Sequence, residues 1–122
     1  MVNQRSYTRL ETDFFANLYE STENKEIPCK VRNISECGIC FEIPKDAPYK
    51  NRLHKGDGLS FHFVDSFKMN DEMETDVMSE KSIIRHVTEK KDGSTLIGCY
   101  LNKEKFRQYF LRRQLHDLYY SA

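Results

Sequence analysis

The sequence predicts an all-β domain, a six-stranded antiparallel β-barrel with a C-terminal α-helix. Three observations support this fold class. Short apolar and aromatic runs recur about every ten residues with turn-forming residues between them. Several runs alternate apolar and polar residues with the period of two that is typical of strands with one buried face. The last segment contains no proline or glycine from residue 103 to 120 and carries apolar residues at helical spacings.

The first half of the chain predicts three strands. Asp13–Tyr19 and Ile27–Ile34 are rich in aromatic and β-branched residues, and the polar segment 21–24 between them is typical of a hairpin turn. A tight connection at 35–38 follows. The third predicted strand alternates its apolar residues, which are Ile39, Phe41 and Ile43.

The second half predicts three more strands and the helix. Residues 44–55 are a predicted loop, and the glycine-containing turn 55–58 leads to a fourth strand with alternating Leu59, Phe61 and Phe63. The acidic segment 65–80 has no clear pattern and is left unassigned. The turn 89–94 separates a fifth strand around residues 83–87 from a sixth at 96–101. Asn102 is the predicted N-cap of a helix whose spaced apolar residues are Phe106, Phe110, Leu111, Leu115 and Leu118.

Composition indicates one globular domain. The chain has 122 residues, of which 39% are hydrophobic, and it includes seven tyrosines and eight phenylalanines. The 19 basic residues balance the 19 acidic ones, so no overall field attracts a nucleic acid polymer. We expect residues 1–12 to form a polar N-terminal arm and residues 13–122 to form the barrel domain with its helix.

The sequence shows neither the apolar core of a signal peptide nor an apolar run long enough to span a bilayer. We therefore expect a cytoplasmic protein without direct membrane insertion. In that compartment cysteines are reduced, and we expect all four to pack as small apolar side chains. They are Cys29, Cys37, Cys40 and Cys99.

Two short segments carry residues suited to a ligand. Arg5 and Arg9 are four apart, so their planar guanidinium groups can converge on one ligand, and such groups suit phosphate oxygens and the guanine edge. At the end of the second strand, Asn33 and Ser35 point to one face. Gly38 permits either a turn with positive φ or the close approach of a ligand. Read separately, the first segment fits a solvated arm and the second a polar turn.

The first segment has the pattern RxxxR, and the second, about two dozen residues later, has the pattern [D/N]xSxxG. Taken together in this order, the two segments resemble the PilZ domain family. The resemblance extends to Gly56-Asp57, which opens a strand, and to residues 97–101, which are similar to the family's last barrel strand before a C-terminal helix. It implies a barrel that binds cyclic di-GMP, with the arm folding over the ligand.

The resemblance also implies roles for individual residues. Arg5 and Arg9 match the family's two ligand arginines, which contact phosphate and guanine. Asn33 and Ser35 match the polar residues that address guanine, and Gly38 matches the glycine that shapes the turn. Gln4 precedes the arginine motif at a position that influences whether one ligand or a stacked pair is bound. Asn33 stands where aspartate is commoner, and its amide both donates and accepts hydrogen bonds.

The resemblance implies a receptor that catalyses nothing, needs no cofactor or metal, and signals to an unidentified protein partner through ligand-dependent ordering of its arm. The sequence has no recognisable catalytic arrangement and no glycine-rich phosphate loop. Two alternatives remain open. One is a PilZ-like adaptor that no longer binds nucleotide, and the other is a thiol redox or zinc protein built on Cys37 and Cys40, which form a CxxC sequence.

Overall fold

The computed structural model describes residues 8–120 and confirms the predicted fold class. Six antiparallel strands form a closed barrel in the order β1-β2-β3-β6-β5-β4. A short 3-10 helix, Lys50–Arg52, interrupts the loop after β3. The strands and the helix are β1 (Leu10–Glu20), β2 (Glu26–Ser35), β3 (Gly38–Ile43), β4 (Gly58–Met69), β5 (Glu72–Glu89), β6 (Thr95–Tyr100) and α1 (Glu104–Tyr120).

The barrel interior is filled by the alternate apolar residues of the strands. Every strand contributes, because successive side chains of a strand point to opposite faces. A ligand of nucleotide size must therefore bind outside the barrel, on faces that the alternation leaves to polar and small residues. The fully buried strand residues include Leu18, Ile27, Val31, Ile34, Phe41, Ile43, Ile84 and Ile97.

The first strand begins at Leu10, so residues 10–12 of the polar segment lie in β1. Thr12 donates a hydrogen bond from Oγ1 to the carbonyl oxygen of Val31 at 2.8 Å, which ties this end of β1 to β2. Arg9 is exposed and directly precedes the strand. The pairing of Leu10 with Ile34 therefore places Arg9 next to the end of β2.

The acidic segment 65–80 belongs to a long hairpin formed by β4 and β5. The turn between the strands contains Asn70 and Asp71 with φ of 51° and 65°, and a two-residue hairpin turn of this kind requires positive φ at both positions. β1 pairs with β4 only up to His62, and β6 pairs with β5 from Ile83 onward. The distal part of the hairpin thus extends beyond the ring of six paired strands.

Helix α1 packs an aromatic face made of Phe106, Tyr109 and Phe110 against the barrel. The helix begins at Glu104, so Asn102 is not its N-cap; the Oδ1 of Asn102 instead accepts a hydrogen bond from the Arg107 guanidinium at 2.5 Å. In residues 8–120, no helix is long and apolar enough to cross a membrane. Three of the apolar residues predicted from helical spacing are exposed, and they are Leu111, Leu115 and Leu118.

A polar cluster, which we call the helix clamp, fastens α1 to the hairpin. Asp65 is buried and accepts hydrogen bonds from the Tyr109 hydroxyl at 2.7 Å and from Arg113 Nη1 at 2.6 Å. Asp76, the cross-strand partner of Asp65, forms an ion pair with Arg112. Burial raises the pKa of Tyr109 far above its usual value, so the hydroxyl stays a donor. The clamp therefore uses both Arg112 and Arg113 to hold the helix against the hairpin.

Candidate ligand-binding site

A groove of about 320 Å³ crosses the outer face of the barrel over strands β2, β3, β6 and β5. The centre of its floor consists of small residues, because Gly38, Cys40 and Gly98 occupy neighbouring outward positions on the two central strands. Larger side chains rise from β2 on one side and from β5 and β6 on the other. The groove exists because the central strands lack bulk between these two walls.

The first wall carries Asn33 and Ser35, together with Arg9 from the residue before β1. A β-bulge in β2 places Arg32 between the pairs Val31↔Phe41 and Asn33↔Cys40. This extra residue shifts the alternation, so that Asn33 faces outward while Ile34 stays in the core with no exposed surface. The bulge is therefore what directs Asn33 toward the groove.

Gly38 lies opposite Ser35 at the start of β3. Its backbone is not left-handed; among the glycines in residues 8–120, that conformation belongs to Gly56 and Gly93. A Cβ added to Gly38 would lie 3.0 Å from Ser35 Oγ and 3.5 Å from the carbonyl oxygen of Cys99. The prediction that Gly38 has a positive φ is thus wrong. The structure shows instead that neighbouring atoms approach this position closely.

The second wall carries Arg85 and His86 from β5 and Tyr100 from β6. The guanidinium carbon of Arg85 lies 4.7 Å from the centroid of the Tyr100 ring. Sequence reasoning missed these three residues because they lie in strands that were recognised by their apolar residues alone. The available signal was an Arg-His pair inside the fifth strand, where the alternation of apolar residues breaks.

The groove favours an anionic ligand. It is lined by two arginines, Arg9 and Arg85, and no aspartate or glutamate belongs to its lining in the described part of the chain. Within residues 8–120, the side chains of Arg9, Asn33 and Ser35 form no hydrogen bond or ion pair with the protein. Neighbouring Arg32, by contrast, is paired with Asp13 and Glu42. The lining groups are thus available to bind a ligand.

The groove brings together four of the residues predicted from the sequence, namely Arg9, Asn33, Ser35 and Gly38. Arg5 and Gln4 lie outside the described residues. A larger depression of about 540 Å³ on the face of β1, β4 and β5 contains none of the predicted ligand residues.

The two cysteines of the CxxC sequence also line the groove. Burial raises the pKa of Cys40, although the charge of Arg9 opposes this change. A raised pKa disfavours the thiolate that redox chemistry and metal binding both require. Cys99, beneath the groove, has its pKa raised by burial to about 12. In the described chain, no group of three or more histidine, cysteine, aspartate or glutamate residues is placed to hold a metal ion.

The closed six-stranded ring with its C-terminal helix is the fold of a PilZ domain. No family model matches the sequence, and no curated protein matches it either. The fold is shown by solved structures. The PilZ domain of YcgR from Escherichia coli, solved with c-di-GMP, is 12% identical, with a TM-score of 0.64 over 98% of this chain and 100% of that one.

Two further solved structures share the fold. The inhibitor of motility MotI/DgrA from Bacillus subtilis is 18% identical, with a TM-score of 0.65 over 93% of this chain and 53% of that one. MrkH of K. pneumonia, solved as a c-di-GMP complex, is 11% identical, with a TM-score of 0.66 over 99% of this chain and 56% of that one. The chain thus spans about half the length of these two proteins.

Proposed function

We propose that this chain is a non-catalytic receptor that binds cyclic di-GMP in the groove between Asn33 and Arg85. The observation that carries the proposal is the convergence of Arg9, Asn33, Ser35 and Gly38 in one groove lined without carboxylates. The fold supports it, since similar structures of YcgR and MrkH are complexes with this nucleotide.

The groups in the groove match the chemistry of a cyclic dinucleotide. A guanidinium such as that of Arg9 forms paired hydrogen bonds with phosphate oxygens or with the O6/N7 edge of guanine. The Asn33 amide donates and accepts, and the Ser35 hydroxyl does the same. The small floor residues leave room for flat rings. Arg5, the first arginine of the motif, supplies a second guanidinium in this proposal.

Isothermal titration calorimetry with cyclic di-GMP, run beside GTP and cyclic AMP, tests the proposal. We expect binding at micromolar or tighter dissociation constants that is selective for the cyclic dinucleotide. An absence of binding heat for cyclic di-GMP at high protein concentration would overturn the proposal and leave the adaptor alternative. Metal content and thiol titration of the same sample test the alternative based on Cys37 and Cys40.

Replacing Gly38 with alanine should weaken cyclic di-GMP binding roughly five- to tenfold, because the new methyl group raises the floor and crowds Ser35 Oγ at 3.0 Å. Thermal stability should change little, since the backbone at Gly38 is not left-handed. The matched control is Gly58→Ala, where the nearest atom to the new Cβ is 4.0 Å away. Equal affinities of the two variants would remove Gly38 from the site.

We further propose that ligand binding orders the N-terminal arm and thereby changes affinity for a protein partner. A ligand shifts such an equilibrium only through contacts that differ between the two states, so the arm must contact the ligand directly. Arg9 meets this requirement, because it is exposed, lines the groove and lies level with Ser35, one residue beyond the pair Leu10↔Ile34.

Limited trypsin digestion tests the arm mechanism. Saturating cyclic di-GMP should slow cleavage after Arg5 and Arg9 several-fold, because both guanidinium groups are then held by the ligand. Cleavage after Lys91, in the exposed turn between β5 and β6, serves as the internal control and should keep its rate. Mass spectrometry of the fragments gives the rate at each bond. Tight binding without any slowing at the two arginines would contradict the mechanism.

A further inference from the structure

The second wall of the groove contains a cation–π pair that the PilZ sequence motifs do not include. The Arg85 guanidinium lies 4.7 Å from the Tyr100 ring centroid, and the Tyr100 side chain is partly exposed on the outer face. Both residues line the groove on the side opposite Asn33. The pair therefore presents a flat, cationic surface to any ligand that fills the groove.

A second β-bulge explains why Arg85 stands there. Strand β5 pairs with β6 through Ile84↔Cys99 and His86↔Gly98, so Arg85 is an extra residue between two ladder positions. Because of this insertion, Arg85 and His86 are both exposed on the outer face while Ile84 remains fully buried. Bulges of this kind re-aim side chains and are frequent next to functional sites.

The charge of Arg85 is free for a ligand. Other arginines of the domain are held by carboxylates, for example Arg32 by Asp13 and Arg113 by Asp65. In the described chain, Arg85 forms no ion pair, and its contact is with the ring of Tyr100. A guanidinium that rests on an aromatic ring keeps its other planar face open for a second flat group.

We propose that the Arg85–Tyr100 pair is the binding surface for the second guanine base of cyclic di-GMP. This inference rests on the proposed function of the groove. The ligand carries two bases, and the β2 wall with Asn33 and Ser35 addresses one of them. The other base reaches the opposite wall, where it stacks on the Arg85 guanidinium. Tyr100 is a positioning residue that holds this guanidinium flat.

Calorimetry with cyclic di-GMP on four variants tests the inference. Arg85→Ala should weaken binding about tenfold, because it removes the surface on which one base stacks. The affinity of Arg85→Lys should be close to that of Arg85→Ala, because lysine restores the positive charge but has no planar group on which a base can stack. Tyr100→Phe should bind cyclic di-GMP with wild-type affinity, and Tyr100→Ala should bind it about fivefold more weakly.

A double-mutant cycle separates positioning by Tyr100 from an independent contact. If Tyr100 acts through Arg85, the variant lacking both side chains binds no more weakly than Arg85→Ala alone. Full additivity would overturn the role given to Tyr100. Arg107→Ala, which removes the same charge from helix α1, is the matched control for overall electrostatics and should keep wild-type affinity.

The outcomes distinguish the inference from the proposed function. If the wild type binds cyclic di-GMP and Arg85→Ala binds equally well, the stacking surface is wrong while the receptor function stands. If Arg85→Lys restores full affinity, the contribution is charge alone and the stacking role is overturned. If the wild type binds no cyclic di-GMP, both the proposed function and this inference are wrong. Circular dichroism melting of each variant confirms that the barrel is folded.

Discussion

Arg9→Ala should weaken cyclic di-GMP binding at least tenfold and leave the melting temperature almost unchanged. A hydrogen bond to a charged group contributes roughly 1.5–3 kcal/mol, and about 1.4 kcal/mol corresponds to a factor of ten. Within residues 8–120, the side chain of Arg9 is exposed and forms no hydrogen bond or ion pair. Calorimetry and thermal denaturation on the same preparation measure both quantities.

Two companion variants sharpen the result for Arg9. Arg9→Lys keeps the charge without the paired donors, so it should recover only part of the lost affinity. Arg107→Ala removes one positive charge at a site outside the groove and should bind like the wild type. Wild-type affinity in Arg9→Ala would exclude this residue from the site.

Asp65→Ala should lower the free energy of unfolding by about 3 kcal/mol, because the largely buried Arg113 guanidinium loses its shortest ion pair and keeps only the one with Asp117 at 3.4 Å. Here the Arg113 guanidinium and the Tyr109 hydroxyl both lose their acceptor. For a domain of this size, the expected fall in melting temperature is roughly 10 °C. Urea denaturation followed by circular dichroism gives the free energy.

The matched control for the helix clamp is Asp13→Ala. Asp13 also pairs with two basic residues, Lys30 and Arg32, but it is exposed, and exposed ion pairs contribute little. We expect the melting temperature of the Asp13→Ala variant to stay within about 2 °C of the wild-type value. Similar losses of stability in Asp65→Ala and Asp13→Ala would show that burial does not determine how much the helix clamp contributes to stability.

The barrel was predictable because its strands bury one face and expose the other. The alternating residues around Phe41 and Phe61 mark such strands directly. The segment 65–80 escaped prediction because charged residues occupy both faces of the distal hairpin. There Asp65 and Asp76 point toward α1, where arginines compensate their charges. Because carboxylates occupy inward positions, the alternation of apolar and polar residues that indicates a strand is missing.

The two walls of the groove differ in how far the sequence reveals them. Asn33, Ser35 and Gly38 are close together in the chain, so their pattern is visible without a structure. Arg85 and Tyr100 are brought together by the pairing of β5 with β6 and by a bulge that no local pattern specifies. The space for a side chain at position 38 is set in part by β6, since the carbonyl oxygen of Cys99 would lie 3.5 Å from a Cβ there.

The order of strands in the ring divides the barrel into two halves. Strands β1 to β3 and strands β4 to β6 each pair with their neighbours in the chain, whereas β3–β6 and β1–β4 join distant segments. Distant pairings carry the larger loop-closure cost, so we expect the two halves to form before the ring closes. The groove crosses the β3–β6 junction and is complete only after that closure. A ligand bound across this junction should therefore slow unfolding more than it speeds folding.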